Sequence, residues 1–201
     1  MRSAMKLVEH RYQDRGYRPV AGLRTSNLAL SDSDLLTLTM TQYGAVCGTI
    51  SIRFDGSHGL AADEVFPAEM RELRATGLRM CEFTKLALDI EDTSRHLLAH
   101  LFHRAYLCAF KQHDAELLVI EVNPRHTAFY RRLLGFKVRS GTRLNPRVNA
   151  PAVLLSLSMA DAQQQIARYG GHAELSKVVR SLYPLGYSPE DEQMLLDSLM
   201  H

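Results

Sequence analysis

Apolar residues recur along this chain with two alternating spacings. In "DLLTLTMTQYGAVCGTISIRF", Asp34 to Phe54, every second position is apolar: Leu36, Leu38 and Met40, then Ile50, Ile52 and Phe54. That period predicts two strands joined by a tight turn at Tyr43-Gly44. Upstream, "MKLVEHRYQDRGY" reads as a helix with Leu7, Val8 and Tyr12 on its apolar stripe and Gly16 as its stop. Downstream, "FPAEMRELRATG" reads as a helix with Pro67 in its first turn and Gly77 at its end. "RMCEFTKLALDI" is the next predicted strand. "EDTSRHLLAHLFHRAYLCAFKQH" follows as a helix capped among Asp92, Thr93 and Ser94, with Leu97, Leu101, Ala105 and Cys108 facing the core. "ELLVIEV" is almost continuously apolar, as a strand covered on both faces should be. A helix, then strands in "FKVRS" and "APAVLLSLSM", complete the set.

This order predicts an α/β fold with a mixed central sheet flanked by helices. After about Met159 the pattern changes to three short helices, in "ADAQQQIARYGG", "HAELSKVVRSLY" and "SPEDEQMLLDSLM". Ser188, Pro189 and Asp191 form a start signal for the last of them. The division expected is a catalytic-sized domain over residues 1–160 and a helical extension over 161–201.

Composition narrows the class. The 201 residues are 46% hydrophobic and 23% charged, which is globular rather than disordered. No apolar run is long enough for an integral membrane segment and the N-terminus lacks a signal-peptide core, so the expected compartment is the cytoplasm. Cys47, Cys81 and Cys108 are an odd count without metal-ligand spacing and read as buried, reduced thiols. The net charge of +2 hides an asymmetry. No acid occurs between Glu121 and Asp161, while Arg125, Arg131, Arg132, Lys137, Arg139, Arg143 and Arg147 all do. Such a stretch is either a solvated basic surface or a docking face for an acidic partner or phosphate. Aromatics are not interleaved with it as base stacking would need, which argues against nucleic acid.

The candidate chemistry lies in "EVNPRHTAFYRRLLGF", Glu121 to Phe136, where a strand ends and a helix begins. Strand-to-helix turns of α/β folds are common sites of chemistry. On the preceding strand, strict alternation puts Glu82 and Thr84 on one face and Phe83 and Lys85 on the other, unless a bulge intervenes. Taken by residue type alone, Glu82 reads as the partner of a neighbouring Arg or Lys. Glu121 and Asn123 share a strand face, suited to an ammonium or amide, or to bonding the turn before Pro124. Arg125 and His126 suit a carboxylate or phosphate, or are surface residues of the helix start. His96, His100 and His103 share a helix face, but no carboxylate or Cys assists them. No metal site is expected there, only a solvated face.

Several motifs carry a resemblance. "AFYRRLLGF" resembles the last-helix signature of GNAT N-acyltransferases, and "CEFTKLAL" resembles a strand of the acyl-homoserine-lactone synthases, which are GNAT-like. The joint presence of Cys-Glu-Phe-Thr, the "IEVNPRH-FYRR-LGF" block and "NPRVNAPAVLL" is similar to the long-chain N-acyl amino acid synthases of the FeeM type, over about Glu9 to Met159. The resemblance implies a GNAT-like fold and transfer of a long fatty acyl group from acyl carrier protein to the α-amine of an amino acid. It implies Glu82 as base and Tyr130 as the acid that protonates the departing thiolate. Thr84, Lys85, Glu121, Asn123, Arg125 and His126 would bind substrate, and Arg131, Arg132, Lys137, Arg139, Arg143 and Arg147 would dock the carrier. No permanently bound cofactor is implied. The donor is expected to be acyl-phosphopantetheine on the carrier rather than acyl-CoA. Acetyltransferases of this type hold a diphosphate on a Gly-rich loop. The equivalent "DIEDTSRHLL" has no glycine, and Glu91 and Asp92 would repel an anion. The rival readings are a homoserine-lactone synthase, a CoA-dependent acetyltransferase, or a carrier-binding module without catalysis.

Overall fold

The computed structural model describes residues 35–42, 45–88 and 95–199. The helix read over residues 5–17, the Tyr43-Gly44 turn and the connection from Asp89 to Ser94 lie outside them.

Alternating apolar residues form β1 (Leu35–Gln42) and β2 (Ala45–Phe54), which pair antiparallel. α1 (Pro67–Arg74) starts at Pro67, whose missing N–H would be unpartnered in a first turn anyway. β3 (Met80–Leu88) is followed by α2 (Arg95–Tyr106), which runs on as a π-helical turn over Leu107–Gln112. This crossover lets β4 (Leu117–Val122) lie parallel to β3. α3 (Thr127–Leu134) ends at Gly135, whose φ of 80° is the left-handed stop that glycine adopts without strain. β5 (Lys137–Val138), β6 (Arg143–Asn145) and β7 (Ala150–Ser158) complete a seven-stranded mixed sheet, ordered β1-β2-β3-β4-β7-β5, with β6 also paired to β7. α4 (Met159–Tyr169) and α5 (Pro189–Leu199) follow. α5 begins as predicted, with Ser188 Oγ accepting the Asp191 N–H at 3.1 Å.

The structure departs from the periodicity in three places. "FKVRS" yields only two strand residues, and β6 falls in a segment too short and polar to show alternation. "HAELSKVVRSLY" is a 3-10 turn over Ala173–Lys177 and irregular chain, not a helix. The third is His103, which is buried rather than solvated.

Each sheet face has its own core. One packs Met80, Leu117, Val119, Ala152 and Leu154 under Leu60, Phe66 and Met70 of the segment around α1. The other packs Cys81, Phe83, Leu118, Ile120 and Leu155 under α2 and α4, joined by Leu182 and Leu185 of the C-terminal segment. Cys47, Cys81 and Cys108 are all free and buried.

The feature that makes a site lies between β3 and β4. Their pairing covers Met80–Leu117, Cys81–Leu118 and Glu82–Val119 and then stops, although β3 continues to Leu88 and β4 to Val122. On its other edge β3 carries a bulge. Thr49 and Ser51 of β2 oppose Ala87 and Thr84, so β3 takes three steps where β2 takes two, and Lys85 sits at φ 52°. A bulge bends its strand and increases its twist, which carries β3 away from β4. The two strands therefore splay from Glu82 onward.

Candidate active site

The splay opens into a cavity of about 520 Å³. That is within the roughly 300–1,000 Å³ typical of small-molecule sites. Its walls include Glu82, Thr84 and Lys85 from β3 and Glu121, Val122 and Asn123 from β4. Ala61, Asn145 and Arg147 close it on one sheet face, and Phe102, His126 and Tyr130 on the other. Because the gap lies within the sheet, the cavity reaches both faces.

Glu82 is 1% exposed and borders this cavity. Among the described residues no cation forms an ion pair with it. Its Oε2 accepts the backbone N–H of Ala61 at 2.6 Å and of Ala62 at 3.3 Å. Those amides are offered by a 3-10 turn, Ala61–Asp63. The turn is held by Asp63, which accepts the Leu60 N–H at 2.8 Å and pairs with Arg74, itself paired to Asp55 at 2.7 Å. The Arg74 hydrogen bond keeps the Asp63 carboxyl below its ordinary range. For Glu82 the balance is opposite. Burial, and then the nearby Glu121 charge, push its pKa up to about 7, against the pull of the two amides and Arg147. A carboxyl poised there changes its proton occupancy near neutrality, as a general base should.

Glu121 stands on the same sheet face. It accepts from Asn145 Nδ2 and from the guanidinium of Arg147, which also bonds Glu64 at 2.8 Å and the Ala61 carbonyl. Burial raises the Glu121 pKa, and Arg147 opposes the rise. The cavity is thus lined by two carboxylates, Glu82 and Glu121, and by the guanidinium side chains of Arg147 and of Arg53, which stands opposite Glu82 on β2. Asn145 and the two amides were not anticipated from the sequence. "NPRVNAPAVLL" contains Asn145 and Arg147, and two polar residues flanking a proline just before an apolar strand were the available signal.

On the opposite wall, Tyr130 packs edge-on against Phe102 at 6.2 Å, Phe129 at 5.3 Å and Phe136 at 5.7 Å. The left-handed Gly135 lets the Phe136 N–H reach the Tyr130 carbonyl, which turns Phe136 back under the tyrosine. Asn123 Oδ1 accepts the Arg125 N–H at 3.2 Å and caps the turn Pro124–His126. His126 borders the cavity, whereas Arg125 is exposed and donates to His126 Nε2 at 3.1 Å. The structure gathers Glu82, Thr84, Lys85, Glu121, Asn123, His126 and Tyr130 around one space, with Arg125 just outside.

The basic residues do not form one face. Arg147 lies in the cavity, and Arg143 pairs with Glu69 and the Val65 carbonyl and lies over the Phe66 ring. Arg143 stays exposed beside these contacts, whereas Arg147 is only half-exposed. Arg131 and Arg132 are exposed on α3, Lys137 is 3.8 Å from Asp161, and Arg139 donates to Ser156 at 2.7 Å. The histidine face is covered only in part: His96 is exposed, whereas His100 stacks on Tyr187 at 4.3 Å and His103 Nε2 lies 3.2 Å from Glu192. Among the described residues no helix is long and apolar enough to cross a membrane.

A family model described as N-acyl amino acid synthase FeeM matches residues 3–158. Among solved structures, FeeM from uncultured soil microbes is 28% identical, with a TM-score of 0.70, over 81% of this chain and 92% of that one. An acyl-CoA N-acyltransferase from Pseudomonas aeruginosa shares the fold at 14% identity and a TM-score of 0.52, covering 78% and 88%. So does the CoA-dependent acyl-homoserine lactone synthase BjaI, at 13% identity and 0.53, covering 78% and 72%. These neighbours place the mixed sheet and its helices in the GNAT-like acyltransferase fold. No curated protein matches the sequence.

Proposed function

The chain belongs to the FeeM family of N-acyl amino acid synthases and is an acyltransferase, and on that premise we propose that it moves a long-chain fatty acyl group from acyl carrier protein to the α-amine of an amino acid. The observation that carries the reading is the β3–β4 splay, with Glu82 and Tyr130 on facing walls of one cavity. The amine must lose a proton to attack the thioester carbonyl. Glu82, poised near neutrality, accepts that proton directly or through one water. Attack forms the C–N bond and places negative charge on the carbonyl oxygen. Among the described residues the strand register skips Lys85 and Leu86 on both sides, which suits their backbone N–H groups to the oxyanion or to the pantetheine amides. Collapse of the intermediate breaks the C–S bond, and Tyr130 gives its phenolic proton to the leaving thiolate.

Glu121, Asn123 and His126 surround the space the amino acid would occupy, together with Thr84 and Lys85 at its edge. Arg147, shared with Glu121, is a cation suited to the substrate carboxylate. Exposed Arg131 and Arg132, with Arg125, Lys137 and Arg139, remain for the phosphodiester and an acidic carrier. The glycine-free sequence of Asp89 to Leu98 favours this single-phosphate donor over coenzyme A. The test is incubation with acyl carrier protein loaded with long acyl chains, in parallel with the same acyl-CoA, and a panel of amino acids. Mass spectrometry should find N-acyl amino acids, formed preferentially from the carrier. Hydrolysis alone with every donor would overturn the proposal, and equal use of acyl-CoA would overturn its carrier part.

A further inference from the structure

A second, smaller cavity of about 40 Å³ lies on the α2 side of the sheet. It shares Phe83 and Phe102 with the main cavity, and those two rings, with centroids 6.5 Å apart, stand between the spaces. Its far wall is not built by the family-matched part of the chain, which ends at residue 158. Ala162 and Ile166 of α4, and Leu182 and Tyr183 of the following segment, supply it.

That wall is fastened at several points. The Leu182 N–H donates to the Leu133 carbonyl at 2.9 Å, and the Tyr183 hydroxyl donates to the Leu134 carbonyl at 2.8 Å. His103 Nδ1 accepts the Tyr187 N–H at 3.1 Å, so its proton is on Nε2, facing Glu192 at 3.2 Å. The segment is therefore held by α2 and α3, the helices that also carry Phe102 and Tyr130. The polar atoms of Tyr183 and His103 are used in the fastening, which leaves a largely apolar surface toward the cavity.

We propose that the segment after Ser158 closes the far end of the acyl channel and selects donor chain length, with Leu182 and Ala162 as the specificity-determining wall. The inference rests on the acyl-transfer reading. The carbonyl would lie between Glu82 and Tyr130, and the chain would pass Phe83 and Phe102 into the small chamber. Each methylene buried there is worth about a fourfold gain in affinity, and each one that does not fit forfeits it. A chain longer by one two-carbon step should then change preference by about fifteenfold.

The experiment presents the full chain with a mixture of acyl carrier proteins bearing saturated chains that differ in two-carbon steps, and reads the product distribution. Leu182→Ala enlarges the chamber and should shift the preferred chain at least one step longer. Ala162→Val fills it, keeps the fold's apolar character, and should shift the preference one step shorter. Thermal stabilisation by the matching free fatty acids is read in parallel, because it needs binding but no transfer. If the wild-type protein transfers nothing, but the variants shift the length profile of stabilisation in opposite directions, the acyl-transfer reading fails and the chamber stands. If Ala162→Val folds and leaves the length profile of both product and binding unchanged, the chamber is refuted, whatever Leu182→Ala does.

Discussion

Replacing Glu82 with Gln separates the two consequences of its burial. The amide keeps an oxygen for the Ala61 and Ala62 N–H groups but carries no charge. In the folded protein the carboxyl titrates at about 7, against an ordinary 4.5. At about 1.4 kcal/mol per pH unit, that gap corresponds to roughly 3 kcal/mol. The sign follows from proton occupancy. Between pH 4.5 and 7 the native state holds a proton that the unfolded chain has released. Wild-type stability therefore falls as pH rises through that window and stays lower above it. Glu82→Gln removes the penalty. Its advantage over wild type should be small at pH 4 and approach roughly 3 kcal/mol at pH 8. Turnover should move the opposite way, falling by about 10²- to 10⁴-fold as expected for loss of a general base. Wild-type kcat should itself fall about tenfold per pH unit below pH 7. Denaturant melts of both proteins across pH, with single-turnover rates on the same samples, measure all of this. A stability difference that does not vary with pH, or a variant that retains wild-type turnover, would refute the assignment.

Arg147→Ala removes the cation shared by Glu121 and Glu64. It should destabilise the protein by about 2 kcal/mol, less than a fully buried pair because the arginine is partly exposed. It should also raise the acidic limb of the pH–rate profile, since Arg147 now favours the ionised form of Glu82; a limb unmoved or lowered would contradict the geometry. Tyr130→Phe keeps the ring contacts with Phe102, Phe129 and Phe136. Its melting temperature should stay close to wild type while kcat, followed by thiol release, falls about 10²-fold; an unchanged kcat would remove Tyr130 from the chemistry.

Much of this architecture is local and so is written in the chain. Period-two alternation placed β1 and β2, and the continuous apolar run placed β4. Glu82 and Glu121 were legible as acids on neighbouring strands because side-chain period is a property of one strand at a time. What the cavity does with them is non-local. The Lys85 bulge arises from the register of β3 against β2, and the splay from where the β3–β4 ladder stops. The groups that tune Glu82 lie 20 and 21 residues away in the 3-10 turn, and those that hold Glu121 lie 24 and 26 residues away around β6. His103 reads as a solvated residue from its helix face and is buried only because Tyr187 and Glu192, more than 80 residues on, fold back over it. Periodicity records which side of an element avoids water. Which distant chain covers that side is decided by packing, and here packing brings two strand carboxylates, an arginine and a tyrosine to the walls of one cavity.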